Sequence, residues 1–251
     1  MPLKPLFGSL NNTIAKTIAL NNPNYSKIVE PFGDDGTYAL FTAKKPANSH
    51  TVNIVDPDLL AAMQFAQSYS TSDFSALKNE DWIGSPDTFN QVQTISDAEG
   101  EKFIYKFLYN KFFAMSMSGS DELSFDILSL NVDKKNKLFA FPLMKSLLKK
   151  VEFVSMDPMS LIPSDGFMIL IPPTAYLEPT KAKLSGLSGQ FFFAGKVSDG
   201  MAAVSDAQAM SKLNVHGASV AGIMMSTYSF VTNYDSRLTK IDPEMMKGAM
   251  S

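Results

Sequence analysis

The sequence contains no cysteine and almost no arginine, and both absences exclude classes of function. Without cysteine the chain can form no disulfide, no thiolate nucleophile and no thiolate zinc site. Of its 22 lysine and arginine residues only Arg237 is an arginine. Because arginine provides the bidentate contacts to phosphate and guanine, we do not expect a protein that reads nucleic-acid sequence through arginines. Lysine can still bind phosphate as a point charge. A coding genome rich in A and T would also favour lysine over arginine, and both explanations stay open.

Long apolar runs are missing as well. None reaches the length of about 18 residues that a membrane span requires. The first residues, MPLKPLFGSLNNTIAK, lack a signal-peptide pattern. We therefore expect a cytoplasmic protein with no membrane partner, in the host cytoplasm or the virion if the source is a virus. A chain of 251 residues with 45% hydrophobic and 19% charged residues is typical of a globular protein with one main domain.

Strand and helix patterns alternate along the chain. KIVEPF at residues 27–32 and TVNIV at residues 51–55 are typical of buried strands. Asp56-Pro57 then supplies an N-cap and a first-turn proline for a helix over residues 58–67. The almost wholly apolar stretch at residues 167–171 is typical of a strand covered on both faces. Together these patterns predict an α/β domain with a mostly parallel sheet.

The segment between residues 70 and 142 interrupts this alternation. Residues 74–99 are polar and predict turns, residues 101–117 predict a helix, and residues 123–142 predict a strand or hairpin around DKKNK. The other predicted elements are a helix at 12–20, a GDDG turn at 33–36, a helix at 143–150, strands at 151–156 and 190–194, and further alternation at 205–213 and 220–225.

The order of several segments is more informative than any one of them. These segments are KPLFGSL, IVEPFGDDG, VNIVDPDLL, FIYKFLYNKFF, NKLFAFP and FMILIPPTAY. The series resembles the Dam-type adenine-specific DNA methyltransferases over roughly residues 4–176, and the closest local matches are Glu30-Pro31-Phe32 and Asp56-Pro57-Asp58-Leu59.

The resemblance implies a Rossmann-like methyltransferase sheet with an inserted helical and hairpin segment. Residues 1–70 and 143–251 would form the α/β domain, and residues 71–142 would form an insertion similar to a target-recognition region. In the family the sheet binds S-adenosylmethionine, with a glycine loop under the methionine end and an acidic residue on the ribose. The target adenine is flipped out of the duplex onto a D-P-P-Y loop. By position, the cofactor residues would be Phe32, Gly33, Gly36 and Asp56.

The sequence departs from the family pattern at the cofactor-binding and catalytic positions. Asp34 replaces the first glycine of the loop, and Ile54 replaces the ribose-binding aspartate, which leaves Asp56 as a helix cap. Losing one hydrogen-bonding catalytic group commonly costs about 100- to 1000-fold in rate. We therefore expect a vestigial site with no catalytic residue and no bound cofactor. The remaining departures are Ile171-Pro172-Pro173-Thr174 in place of D-P-P-Y, Tyr176 two residues late, Phe7-Gly8-Ser9-Leu10 in place of the tryptophan and lysine at the front, and Asn110-Lys111, which retains only a lysine in place of the usual arginine.

Three lysines, Lys134, Lys135 and Lys137, are the candidates for nucleic-acid contact. The resembled family has a hairpin at this place next to the target base, and a solvated hairpin tip is the alternative. Lys145, Lys149 and Lys150 could extend a basic face, or they could complement the C-terminus of a helix.

Other candidate sites are weaker. Asp34 and Asp35 could ligate a metal, but adjacent acids without further ligand spacing favour a solvated turn, so we expect no metal site. Asp157-Pro158 is an alternative position for the catalytic motif. His50 and His216 are interpreted as structural or surface residues.

Three functional hypotheses follow. The first is an inactive Dam-like fold reused as a DNA-binding, protein-binding or structural component, for example in a virus particle. The second is an active S-adenosylmethionine-dependent DNA adenine methyltransferase with atypical motifs. The third is a non-catalytic subunit that supports an active homologous partner. The expected partners are DNA, bound through lysines, and other protein chains, for which the methionine-rich residues 242–251 could form a docking tail.

Overall fold

Two compact units make up the chain. The computed structural model describes residues 25–33, 49–96, 100–116, 122–162, 166–184, 186–187, 189–196, 214–220 and 226–232. The first unit comprises residues 1–55 and 150–251, and the second comprises residues 56–149. The sequence places the limits of the insertion at residues 71 and 142, whereas the structure divides the chain at Asp56 and Lys149.

The first unit is built on a seven-stranded sheet. In chain order its strands are β1 (Lys27–Glu30), β2 (Ser49–Asn53), β5 (Val151–Val154), β6 (Phe167–Leu170), β7 (Phe191–Lys196), β8 (Asn214–Val220) and β9 (Ser226–Thr232). They lie side by side in the order β5-β2-β1-β6-β7-β9-β8, and only β9 is antiparallel to its neighbours.

Numbered by chain position, the strand order is 3-2-1-4-5-7-6. It differs from the 3-2-1-4-5-6 order of the dinucleotide-binding fold by one antiparallel strand placed between the fifth and sixth positions. The mostly parallel, Rossmann-like α/β sheet expected from the sequence is thus confirmed. The predicted strands at residues 27–32, 51–55, 151–156, 167–171 and 190–194 are all present, with ends that differ by a few residues.

Strand β6 and residues 191–194 of β7 are buried on both faces, as apolar parallel strands require. On one face Val29, Met168, Leu170, Phe191 and Phe193 form a cluster with apolar residues of helix α6 (Thr174–Leu184). Burial of each large side chain of this kind contributes about 1.5–3 kcal/mol. The cluster therefore fixes α6 directly behind the end of β6.

The opposite face contains a buried ionisable pair. Glu30 on β1 and His50 on β2 are 1% and 5% exposed, and the Glu30 Oε1 and His50 Nε2 atoms lie 2.9 Å apart. Of the two sequence interpretations of His50, a structural or a surface residue, the structure supports the structural one. Replacing either member would leave a polar group inside the sheet, which is costly.

The second unit contains five helices and a small hairpin within its described residues. The helices are α1 (Pro57–Ser68), α2 (Thr71–Asn79), α3 (Pro86–Gln93), α4 (Gly100–Phe113) and α5 (Phe141–Leu148), and the hairpin pairs β3 (Ala114–Ser116) with β4 (Leu123–Phe125). The predicted helices at residues 58–67, 101–117 and 143–150 are confirmed, with the second ending earlier, at Phe113.

The prediction of turns over residues 74–99 is wrong, because most of α2 and all of α3 form there. Both helices begin at strong caps. The Ser70 hydroxyl accepts from Asp73 N–H while the Asp73 carboxylate accepts from Ser70 N–H, which is a capping box. The Ser85 hydroxyl accepts from Thr88 N–H and caps α3, which has Pro86 at its first position.

An aromatic cluster holds α4 in the second unit. Trp82 is 2% exposed, donates from Nε1 to Leu77 O over 3.0 Å, and meets the Tyr105 ring edge-on at 5.1 Å. The Tyr105 hydroxyl donates to Asp81 O over 2.6 Å. Burial raises the pKa of Tyr105 above its usual value, and the nearby Asp81 charge adds to the effect.

Some expectations fall beyond the described residues. The helix predicted at residues 12–20, the turn at residues 34–36 and the element at residues 205–213 lie outside them, and of residues 220–225 only Val220 is described, as the last residue of β8. Across the part of the chain that the structure describes, no helix has the length and apolar character to cross a bilayer.

Candidate functional site

The carboxyl ends of β1 and β6 lie side by side in the middle of the sheet. From this point the chain order runs outward in opposite directions, to β2 on one side and to β7 on the other. Open α/β sheets bind ligands at such a switch point, outside the carboxyl ends of the strands. The segments that begin here therefore form the candidate site of the first unit.

The segment after β1 is held by packing against the rest of the fold. Phe32 is 8% exposed and belongs to the apolar cluster behind the sheet, with its ring centroid 5.6 Å from that of Tyr176 on α6. Gly33 N–H donates to Asn53 O over 3.0 Å. A Cβ on Gly33 would overlap Val52 Cγ1, so this glycine lets the loop backbone approach β2.

The Asn53 side chain connects three strands at their carboxyl ends. It is fully buried. Its Nδ2 donates to Pro31 O over 2.9 Å and to Met156 O over 3.1 Å, while its Oδ1 accepts from Met156 N–H over 2.9 Å. One amide group therefore connects the ends of β1, β2 and β5.

The residues after β2 contain no carboxylate at the position expected for a ribose. Ile54 is 1% exposed, and its N–H donates to Val154 O over 2.9 Å. Asp56 is the N-cap of α1, and its Oδ1 accepts from Asp58 N–H and Leu59 N–H over 2.9 and 3.2 Å. Asp56 thus has the capping role that the sequence predicted.

The segment Ile171-Pro172-Pro173-Thr174 follows β6 directly, at the switch point. Ile171 is half-buried, Pro172 is buried, Pro173 is exposed, and Thr174 begins α6. An aliphatic side chain at Ile171 can neither accept nor donate a hydrogen bond. Tyr176 lies one turn into α6, where its N–H donates to Pro173 O over 2.9 Å.

The alternative motif Asp157-Pro158 lies elsewhere. It follows β5, which is one of the two edge strands of the sheet. The Asp157 carboxylate accepts from Met159 N–H over 3.1 Å and caps the 3₁₀ helix Pro158–Leu161. Asp157 therefore lies away from the switch point and acts as a cap, whereas residues 171–174 lie at the switch point.

The hairpin predicted around Lys134, Lys135 and Lys137 is not present, and this prediction is wrong. The three lysines lie at the start of a 3₁₀ helix, Lys135–Ala140. Lys134 N–H donates to Trp82 O over 3.0 Å, and Asp133 forms an antiparallel bridge with Ile83. These long-range bonds hold the segment against residues 82–84. The hairpin of this unit comes earlier, between β3 and β4.

A cavity of about 320 Å³ lies in the second unit. It brings Asp56 together with Asn110 and Lys111, which come from two of the segments that the sequence singled out. Phe103 and Phe107 form apolar walls, and Lys111 Nζ lies 5.4 Å from the Phe107 ring centroid. Asn110 is engaged with Gln93, whose Nε2 donates to Asn110 Oδ1 over 2.8 Å.

No group of acids and histidines that could hold a metal occurs among the described residues. Asp34, Asp35 and Gly36 lie outside them, so the glycine loop beyond Gly33 and its acidic turn stay predictions.

Comparison with known proteins gives a distant structural likeness. No protein-family model matches the chain, and no curated protein matches it. Among solved structures, it is similar to one described as "Putative methyltransferase yhhF from Escherichia coli", with a TM-score of 0.39 and 11% sequence identity, over 93% of this chain and 89% of that one. A likeness at this level does not assign a family to the chain, and the Rossmann-like α/β fold rests on the strand order described above.

Asn53 is the structurally important site residue that sequence reasoning missed. It was available as the N of VNIV, a polar residue at the end of a buried apolar strand. Such a residue must find hydrogen-bond partners inside the protein, because leaving its amide unpaired is costly. That signal indicates a structural tie, although it does not identify the partners.

Proposed function

We propose that this chain is a methyltransferase-like fold that does not transfer methyl groups and that serves instead as a nucleic-acid-binding or structural component. The observation that carries the proposal is the chemistry of two strand ends. Ile54 and Ile171 occupy the positions where the resembled family has a ribose-binding and a catalytic carboxylate. Neither side chain can accept a hydrogen bond from a sugar hydroxyl or an exocyclic amine.

The described residues do not fit S-adenosylmethionine. A carboxylate that accepts both ribose hydroxyls is absent at Ile54, which is nearly fully buried. The nearest acid along the chain, Asp56, is engaged at the N-terminus of α1. The backbone approach allowed by Gly33 is used by β2. We therefore derive no catalytic step through this cofactor.

The remaining role that the residues support is binding. Lys135 and Lys137 are exposed and Lys134 is half-buried. Because all three are lysines, any contact with DNA would be electrostatic, weakened by salt and poor in sequence specificity. The absence of cysteine and of long apolar runs fits a component of the cytoplasm or of a virus particle.

Methyl transfer and cofactor binding test the first half of this proposal. The purified chain is incubated with adenine-containing duplex DNA and S-adenosylmethionine carrying a labelled methyl group, beside an active Dam-type enzyme as the positive control. We expect no incorporation, and no binding heat in titration calorimetry at millimolar cofactor. Incorporation that is lost in a folded Pro172→Ala variant would overturn the proposal. Incorporation that requires a homologous partner chain would establish the supporting-subunit hypothesis instead.

Salt dependence tests the second half. We expect the affinity for labelled DNA to fall with salt, and the slope of log K against log salt to become shallower by about 0.9 for each phosphate contact removed. The triple variant with Lys134, Lys135 and Lys137 changed to Gln should show this change. The matched control is Lys111→Gln, an exposed lysine of the same unit. An equal slope in the triple variant and the wild type would exclude these lysines as the contact.

A further inference from the structure

One exposed segment of the second unit carries both apolar side chains and lysines. The 3₁₀ helix Lys135–Ala140 runs directly into α5. Phe139 is 77% exposed, Leu143 is 47% exposed, and Pro142 is also exposed. We call these three residues the Phe139 face.

The Phe139 face is a single surface because of helical spacing. Residues three and four positions apart lie on the same side of a helix, and Phe139 is three positions before Pro142 and four before Leu143. The opposite side of the same turns is buried, since Leu138, Phe141 and Met144 are at most 2% exposed. The ring of Phe139 therefore takes no part in the core and stays almost fully in water.

From Lys134 to Lys149 every charged residue is a lysine, and Asp133, directly before them, accepts from Lys135 N–H over 2.8 Å with its Oδ1. No Asp or Glu occurs between Lys134 and Lys149, although the net charge of the chain is -3. Lys135 and Lys137 are exposed before Phe139, and Lys149 is exposed just after the end of α5. Lys145 is engaged inside the unit, where it bonds to Tyr69 O and lies over the Tyr69 ring.

These features select the chemistry of the ligand. A run of lysines without acids complements phosphates, and an exposed aromatic ring offers a stacking surface that any base can use. A duplex hides its base faces in its own stack, so an exposed phenylalanine gains little from it. Because residues 134–149 contain no arginine, this segment lacks the side chain that most often reads guanine edges in a groove. An unpaired strand can use both the lysines and the ring.

We propose that the Phe139 face binds an unpaired strand of nucleic acid, with a base stacked on Phe139 and phosphates on Lys135, Lys137 and Lys149. The proposal rests on the nucleic-acid contact of the proposed function and names its ligand class. From Lys135 to Lys149 the helical rise adds up to about 25 Å, comparable with roughly seven nucleotides at the stacked spacing of about 3.4 Å.

A labelled oligonucleotide tests the proposal directly. The probe is a fluorescein-labelled strand of twelve thymidines, and fluorescence anisotropy gives its affinity for the full chain beside that of a labelled duplex of equal length. We expect the single strand to bind more tightly than the duplex. Phe139→Ala should weaken strand binding by about 5- to 100-fold and leave the salt slope unchanged, because it removes stacking and no charge. The matched control is Leu128→Ala, which removes another apolar side chain of this unit that is 87% exposed.

A second variant separates stacking from a general loss of surface. Phe139→Trp should bind the strand at least as tightly as the wild type, and bound bases should quench its indole emission. The proposal is overturned if Phe139→Ala binds the strand like the wild type, if the duplex binds as tightly as the single strand, or if Phe139→Ala abolishes self-association of the chain while strand binding persists. In each of these cases the lysine contact of the proposed function stands. If neither nucleic acid binds at low salt, both the lysine contact and this inference fail.

Discussion

Removal of the Asn53 side chain should destabilise the first unit more than most single substitutions do. The amide makes three hydrogen bonds, to Pro31 O, Met156 O and Met156 N, at 2.9–3.1 Å. A typical hydrogen bond contributes about 0.5–1.5 kcal/mol, and a buried group left unpaired costs about 1–3 kcal/mol. Pro31 is buried, whereas Met156 is 45% exposed and can find water. We therefore expect Asn53→Ala to lower the free energy of unfolding by about 2–4 kcal/mol.

The direction of the bonds allows a sharper comparison. Asn53→Asp keeps the oxygen that accepts from Met156 N–H but places a second oxygen against Pro31 O and Met156 O. At neutral pH we expect it to be at least as destabilising as Asn53→Ala. A protonated carboxyl can donate where the amide did, so its deficit relative to the wild type should shrink in acid.

Urea unfolding followed by circular dichroism measures these differences, at neutral pH and near the acid limit of the fold. Asn136→Ala is the matched control, since Asn136 is an exposed asparagine of the second unit. A loss below about 0.5 kcal/mol for Asn53→Ala would equal that of an ordinary surface substitution and would refute the reasoning. A neutral-pH stability of Asn53→Asp equal to the wild type would refute the assigned bond directions.

Further predictions concern both units. Gly33→Ala should cost about 1–3 kcal/mol in thermal or urea unfolding, because the new Cβ would overlap Val52; wild-type stability would show that the loop moves freely away from β2. Ser70→Ala should cost about 1 kcal/mol through loss of the α2 cap, measured in the same way, and no loss would argue against the capping box. Burial raises the pKa of Tyr105, so this tyrosine stabilises the fold up to about pH 10 and the contribution is lost as the pH rises further. Tyr105→Phe should therefore lose less stability than the wild type between about pH 9 and pH 11, and equal losses would contradict the raised pKa. At neutral pH the variant should be about 1 kcal/mol less stable than the wild type, because Asp81 O loses its hydrogen-bond donor.

The sheet could be predicted from the sequence because its strands are short apolar runs that end in strong turn signals. The β6 stretch is buried at every position. The apolar run between the glycine before it and the proline after it is too short to form a helix. The order of the strands in the sheet, in contrast, cannot be read from such local patterns. It depends on pairings such as β1 with β6 that join residues far apart along the chain. The expectation of a Rossmann-like sheet came only from a resemblance in the order of segments to a known family.

The second unit was harder to predict because local and long-range signals disagree there. Helices α2 and α3 bury few side chains, Leu77 in one and Phe89 and Val92 in the other, so their apolar period is weak. Their caps were visible in the sequence as Ser70 and Ser85.

The DKKNK stretch has the composition of a hairpin turn. In the structure this stretch begins a 3₁₀ helix. Trp82 O accepts from its backbone and Ile83 forms a bridge with it, and both residues are about fifty positions earlier in the chain. No pattern within the stretch itself reports those two partners.

The position of Trp82 decides what a fluorescence experiment on this protein can observe. It is the single tryptophan of the chain and lies in the aromatic cluster of the second unit. Indole emission therefore reports on residues 56–149, whereas far-ultraviolet dichroism averages over helices and strands of both units. Coincident unfolding curves from the two signals would mean that the sheet and the inserted helices melt together. Separate midpoints would mean that the insertion folds as its own cooperative unit.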